Sequence, residues 1–120
     1  MAETTLDWDP NCLFCKVVAG EIPSDVVLEN DACVAFRDIN PQAPTHVVVV
    51  PRDHHPDLAA VAAADPGLTA RLAATCAEVA TQEDLASYRI VFNTGPGAGQ
   101  SVFHVHGHVL GGRSLTWPPG

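Results

Sequence analysis

Apolar and polar positions divide this chain into short runs separated by turn-forming clusters. Residues 1–10 carry no regular apolar period and end in Asp9-Pro10, which predicts a flexible N-terminal tail. Asn11 is a good N-cap, and Phe14, Val17 and Val18 follow it up to Gly20, so a short helix is expected there. Residues 26–29 and 32–37 read as two short strands joined by the turn 29–31, a hairpin. Two prolines make 38–45 a loop, and the β-branched run HVVVVP, 46–51, predicts a strand buried on both faces. Residues 52–64 read as irregular. Asp65-Pro66 then supplies an N-cap with proline at the first helical position, opening a helix that should run to Thr81 or Leu85. Its alanines leave a smooth face suited to a sheet or to a second copy of itself. Residues 88–93 are a further strand, 94–100 a glycine-rich loop, 102–110 the last strand, and 113–120 a C-terminal tail. Strands outnumber helices and hairpin connections dominate. The fold class expected is therefore α+β, an antiparallel sheet with helices on one side.

With 120 residues the chain is one domain's worth, set at 11–120. Hydrophobic residues make up 47% and charged residues 17%, a globular composition. The formal net charge of −8 repels nucleic acid and anionic membranes, so neither is an expected partner. No apolar run is long enough to cross a membrane. The N-terminus is acidic and has no apolar core, which argues against a signal peptide and makes the cytoplasm the expected location. Four cysteines in a reducing compartment are expected to be free or metal-bound, with Cys33 and Cys76 as small core residues.

The stretch QSVFHVHGHVLGG, 100–112, changes the picture, because His104, His106 and His108 stand at alternate positions. In a strand these three share one face, with same-face Cα atoms roughly 6.5–7 Å apart. Three readings follow from that register: a solvated polar row, a zinc site built on His-x-His, or nucleophilic catalysis by a neutral imidazole. The glycine-rich loop directly before it, NTGPGAGQS, 93–101, allows backbone amides to approach an anion. It matches neither a GxGxxG nor a Walker motif.

The string HVHGHVL resembles the histidine triad pattern, and GQSVFHVHGHVLGGR with WPPG is similar to the Hint branch of that superfamily. CLFCKVVAGEIPSDVV, AFRDINPQAPTHVVVVP and YRIVFNTGPGAGQS resemble the same branch, so the likeness runs from about residue 12 to 120. One departure is Gly107, where the pattern prefers a bulky apolar residue, which bears on packing behind the strand.

The resemblance implies a HIT-like fold, a five-stranded antiparallel sheet with two helices, dimerising into a ten-stranded sheet. It implies hydrolysis of purine nucleoside phosphoramidates and related nucleoside monophosphate conjugates. His106 would be the nucleophile, forming a covalent nucleotidyl-histidine. His108 and Ser101 would contact phosphate oxygens or the leaving atom, with Val102, Gly99 and Gln100 in the same pocket and His46 beside the triad. Asp38 would accept from the ribose hydroxyls, although it also reads as a cap of the DINP bend. Asn93 would face phosphate or ribose. Leu13, Phe14, Ile22, Phe36 and Ile39 would sandwich the base, and Trp117 would reach a partner's site. Cys12, Cys15, His46 and His104 would hold a structural zinc. His54 and His55 are assigned no role. The alternatives are a nucleotide-binding regulatory module with low turnover, a dinucleoside polyphosphate hydrolase, and a zinc metallohydrolase using the triad as ligands.

Overall fold

The computed structural model describes residues 9–120; most of the expected N-terminal tail lies outside these residues. Helix α1 spans Leu13–Val18, strand β1 Val26–Glu29, β2 Cys33–Arg37 and β3 Thr45–Pro51. Helices α2 (Leu58–Ala64) and α3 (Pro66–Gln82) follow, then β4 (Tyr88–Val91), a 3₁₀ turn at Pro96–Ala98, and β5 (Gly107–Gly111). The five strands form one antiparallel sheet in the order β1-β2-β3-β5-β4.

The expected hairpin is β1–β2. Its turn is built on Asn30, whose side-chain oxygen accepts from the amides of Ala32 and Cys33. Burial of β3 from His46 to Pro51 fits the β-branched run, since the strand is central and packed on both faces. Val47 and Val49 join Cys33, Ala35, Cys76, Leu72 and Val79 in the main core beneath α3. Val48 and Val50 lie on the opposite face with Val17, Val34 and Phe36, packed by Phe14, Val18 and Ile22. Helices therefore cover both faces of the sheet, not one, because α1 returns over the face that α2 and α3 leave open.

Three further expectations are corrected. Among the described residues three α-helices form, not two: 58–64 is helical, capped by Asp57, whose carboxylate accepts from the Ala60 amide. The first helix is capped by Cys12, not Asn11, and Asn11 belongs to the turn before it. Of the two expected roles for the alanine face, the sheet is not the one taken: the alanines at 70, 73, 74 and 77 point outward, while Leu72, Thr75, Cys76, Val79 and Ala80 make the packed face. The last strand begins only at Gly107, so His104 and His106 precede it on irregular backbone.

Gly107 itself is explained by its neighbours. A Cβ there would lie 2.8 Å from the Phe92 ring and 3.0 Å from the Cys76 sulfur. Phe92 fills the volume that a bulky residue at 107 would otherwise occupy.

Candidate functional site

The antiparallel register decides which histidines meet. His46 pairs with Leu110, Val48 with His108, and Val49 with Gly107. His46 and His108 are therefore diagonal neighbours on one sheet face, with His46 Nε2 2.9 Å from His108 Nδ1. His104, three residues before β5, lies beyond the far end of β3. There its Nε2 bonds to the carbonyl of Pro51 at 2.8 Å. The three triad rings thus do not form one row. His106 and His108 have ring centroids 5.0 Å apart, whereas His104 turns toward His54.

Backbone partners fix the proton on each ring. His106 Nδ1 can only donate to the His104 carbonyl, at 2.8 Å, which leaves the lone pair on Nε2. His104 donates from Nε2 to Pro51, leaving its lone pair on Nδ1. The Gln42 amide donates to His46 Nδ1 at 3.0 Å, so the His46 proton sits on Nε2, facing His108 Nδ1 and Asp38 Oδ2 at 3.4 Å.

Burial keeps all four rings neutral. It lowers His104 and His108 to about 4, helped in His108 by the neighbouring His106 and His46. His106 is also lowered by burial, against the bond to the His104 carbonyl and the Asp38 charge. Burial lowers His46 as well, against the pull of Asp38.

Among the described residues, two groups of potential metal ligands converge. Asp38, His46 and His108 are one. The Gln42 amide keeps the His46 proton on Nε2, so in this structure the group is held together by hydrogen bonds, and a bound cation would have to displace that proton. Cys12, Cys15, His54 and His104 are the other, with ligand atoms all within 4.8 Å of one another. His104 Nδ1 is 3.4 Å from both sulfurs, and His54 Nδ1 is 3.4 Å from Cys15. Tetrahedral zinc with its usual Zn–S and Zn–N bonds separates such ligands by about 3.5 Å. The His104 Nε2–H on a backbone carbonyl is the usual outer support of a metal-bound imidazole. Burial raises the Cys15 thiol to about 11, so a bound cation would have to release its proton. The expected set is corrected at one position: His46 lies in the other group, and His54, to which no role was assigned, stands in its place. Strand direction was the available signal, because the N-terminal side of β5 must lie near the C-terminal end of β3.

A cleft of ≈ 380 Å³ opens over the α1 face of the sheet, lined by Leu13, Phe14, Ile22, Phe36, Asp38, Ile39 and Ser101 among others. It gathers all five expected base-contacting residues with the expected ribose and phosphate residues Asp38 and Ser101. Phe14 stands edge-on to both Phe36 and His106, at centroid distances of 5.6 and 4.9 Å. Ile39 is fully exposed at the rim. Asp38 does cap its bend, accepting from the Asn40 amide through Oδ1, while Oδ2 faces His46.

The glycine-rich loop folds as a 3₁₀ turn closed by Gly99 in the left-handed region at φ 95°. Asn93 lies beneath it: a Cβ on Gly99 would be 4.0 Å from Asn93 Nδ2. Gln100, expected to line the pocket, is buried with its amide fully engaged. Oε1 accepts from Gly95, and Nε2 donates to Pro56 and Val102. Its side chain ties the loop together rather than facing a ligand. Trp117 is 81% exposed on the tail.

The sequence model of the HIT domain matches residues 19–115. The chain belongs to the HIT family. A HIT family hydrolase from Legionella pneumophila superposes with a TM-score of 0.88 at 48% identity, covering 92% of this chain and all of that one. The 14 kDa zinc-binding protein of Zea mays is 45% identical over 115 residues, 93% of this chain and 90% of that protein. An Arabidopsis thaliana protein named adenylylsulfatase HINT1 is also 45% identical over 115 residues, 93% of this chain and 78% of its own length. The five-stranded sheet with its helices is the HIT fold.

Proposed function

We propose that this HIT protein hydrolyses purine nucleoside phosphoramidates and related nucleoside monophosphate conjugates. The observation that carries this reading is the 2.8 Å bond from His106 Nδ1 to the His104 carbonyl. It leaves Nε2 unprotonated on a ring that burial keeps neutral, which is the form an attacking imidazole needs. Nε2 attacks the α-phosphorus, the bond from phosphorus to the leaving nitrogen breaks, and a nucleotidyl-histidine forms. Water then cleaves the phosphorus–Nε2 bond and restores the ring. His108, whose Nδ1 accepts from His46, carries its proton on Nε2 for a phosphate oxygen or the departing amine. Ser101 and the Val102 amide supply further donors, whereas the Gly99 and Gln100 amides already donate to Pro96 and Gly95 within the turn. Phe14, Phe36, Leu13, Ile22 and Ile39 stack on the base, while Asp38 takes the ribose hydroxyls and Asn93 adds a contact there.

The name of the Arabidopsis relative supports a substrate in which a nucleoside monophosphate is joined to a leaving group, and makes adenylyl sulfate a second substrate to try. Incubation with an adenosine phosphoramidate, quenched and analysed by mass spectrometry, should give AMP and an adenylyl adduct on His106. Binding of AMP with no adduct and no turnover would favour a regulatory module instead.

Zinc on Cys12, Cys15, His54 and His104 would supply a structural cross-link between α1, the loop after β3 and the segment before β5. The chain is proposed to act as a homodimer, supported by the exposed Tyr88 and Ile90 on edge strand β4 and by the outward alanines of α3. In that dimer Trp117 would reach the partner's site. A reducing compartment, the cytoplasm, suits four buried cysteines with no disulfide between them.

A further inference from the structure

The proton on His46 is placed by a backbone group. Because the Gln42 amide donates to Nδ1, the proton must sit on Nε2, and from there it fixes His108 as an Nδ1 acceptor with its own proton on Nε2. The orientation of the pair therefore depends on where Gln42 is held. Gln42 lies in the loop 38–45, where its side chain bonds to the Asn40 carbonyl. Its own carbonyl accepts from Arg113 Nη2 at 2.9 Å, a contact from the far end of the chain. The preceding residue brings the two segments together. Gly112 has φ +90°, and a Cβ there would lie 2.9 Å from Pro44 Cβ. The turn after β5 is thus seated against the loop that carries the Gln42 amide.

We infer that Arg113 is a positioning residue, which holds the Gln42 amide on His46 Nδ1 and thereby sets which way the His46–His108 pair presents its proton. The inference rests on the reading of His108 as the donor to substrate. Arg113 touches no part of the cleft; it acts through Gln42, then His46, then His108.

The test reads the tautomer directly. Long-range ¹H–¹⁵N spectra of the labelled full chain near neutral pH should show His46 in one form, protonated on Nε2. Arg113→Ala should give a mixture of both forms and lower kcat toward the phosphoramidate about tenfold, the scale of one lost hydrogen bond. Its Kd for AMP should stay within about twofold, since no binding contact is lost. Arg113→Lys keeps a donor within reach of the carbonyl and should restore most of the single form and most of kcat. Gly112→Ala, which pushes on Pro44, should shift the tautomer in the same direction as Arg113→Ala. A wild-type His46 protonated on Nδ1 would overturn the inference. So would an Arg113→Ala protein that melts lower while its tautomer stays single, or equal losses in the Ala and Lys variants. The tautomer is read without substrate, so a wild type that fails to cleave the phosphoramidate sinks the proposed activity and leaves this result standing.

Discussion

His106 Nδ1 lies 2.8 Å from the carbonyl oxygen of His104, and the His104 ring is itself turned into the thiol cluster. One residue therefore orients the His106 ring through its backbone and joins the Cys/His group through its side chain. His106→Ala should leave the fold and AMP affinity close to wild type and abolish turnover. His106→Gly should regain part of the rate with added imidazole. A nucleotide adduct mapped to His104 or His108 would reassign the nucleophile.

Elemental analysis of protein purified without chelator should give about one zinc per chain, as four-ligand sites bind one ion. His54→Ala should reduce that content, and His46→Ala should not. Cys12→Ser combined with Cys15→Ser should lower the melting temperature more than it lowers kcat. Zinc content that follows His46 and ignores His54 would reverse the assignment of the two groups.

The acid side of the pH profile follows from the buried rings. Each of His46, His106 and His108 has its folded pKa pushed below the ordinary value of 6.5, His108 to about 4. Between those limits the unfolded chain binds more protons than the folded one, so stability falls as pH drops from about 6.5 toward 4, and above that range these rings add no further pH dependence. kcat/KM should hold steady from neutral pH through 6.5 and decline only below it. Chemical denaturation at stepped pH, run beside the rate profile, checks both; an acid limb centred above 6.5 would contradict the neutral, buried rings.

Gly107 and Phe92 share one volume. Gly107→Leu should destabilise by about 1–3 kcal/mol, the usual cost of overpacking a core. Adding Phe92→Ala should recover part of the loss, measured as a coupling energy in a double-mutant cycle. Additive effects of the two substitutions would show that the volumes are independent.

Sedimentation should report a dimer. Deleting 115–120 should alter relative rates among amine leaving groups while leaving AMP affinity nearly unchanged, because Trp117 is not among the residues lining the cleft of its own chain. A monomer, or an unaltered leaving-group preference, would remove Trp117 from the site.

The chain's own pattern determined the strands and much of the cleft. Period and turn residues locate β1 to β4 to within two residues at each end, because a turn-forming Pro, Asn, Asp or Ser lies within two positions of each end. Asp65-Pro66 starts α3 for a local reason that no distant contact can change. Helix α2 escaped because LAAVAAA buries one residue and shows no apolar stripe, although Asp57 ahead of it was a legible cap. Alternation placed three histidines on one imagined face, but strand pairing begins only at Gly107, where β5 meets Val49. Tertiary structure alone decided that His104 joins Cys12, Cys15 and His54, and that His46 joins Asp38 and His108. Spacing along a chain fixes local geometry. Which residues meet across a sheet depends on strand direction and register, and those are set by the burial of Val47, Val49 and Val109 in the shared core.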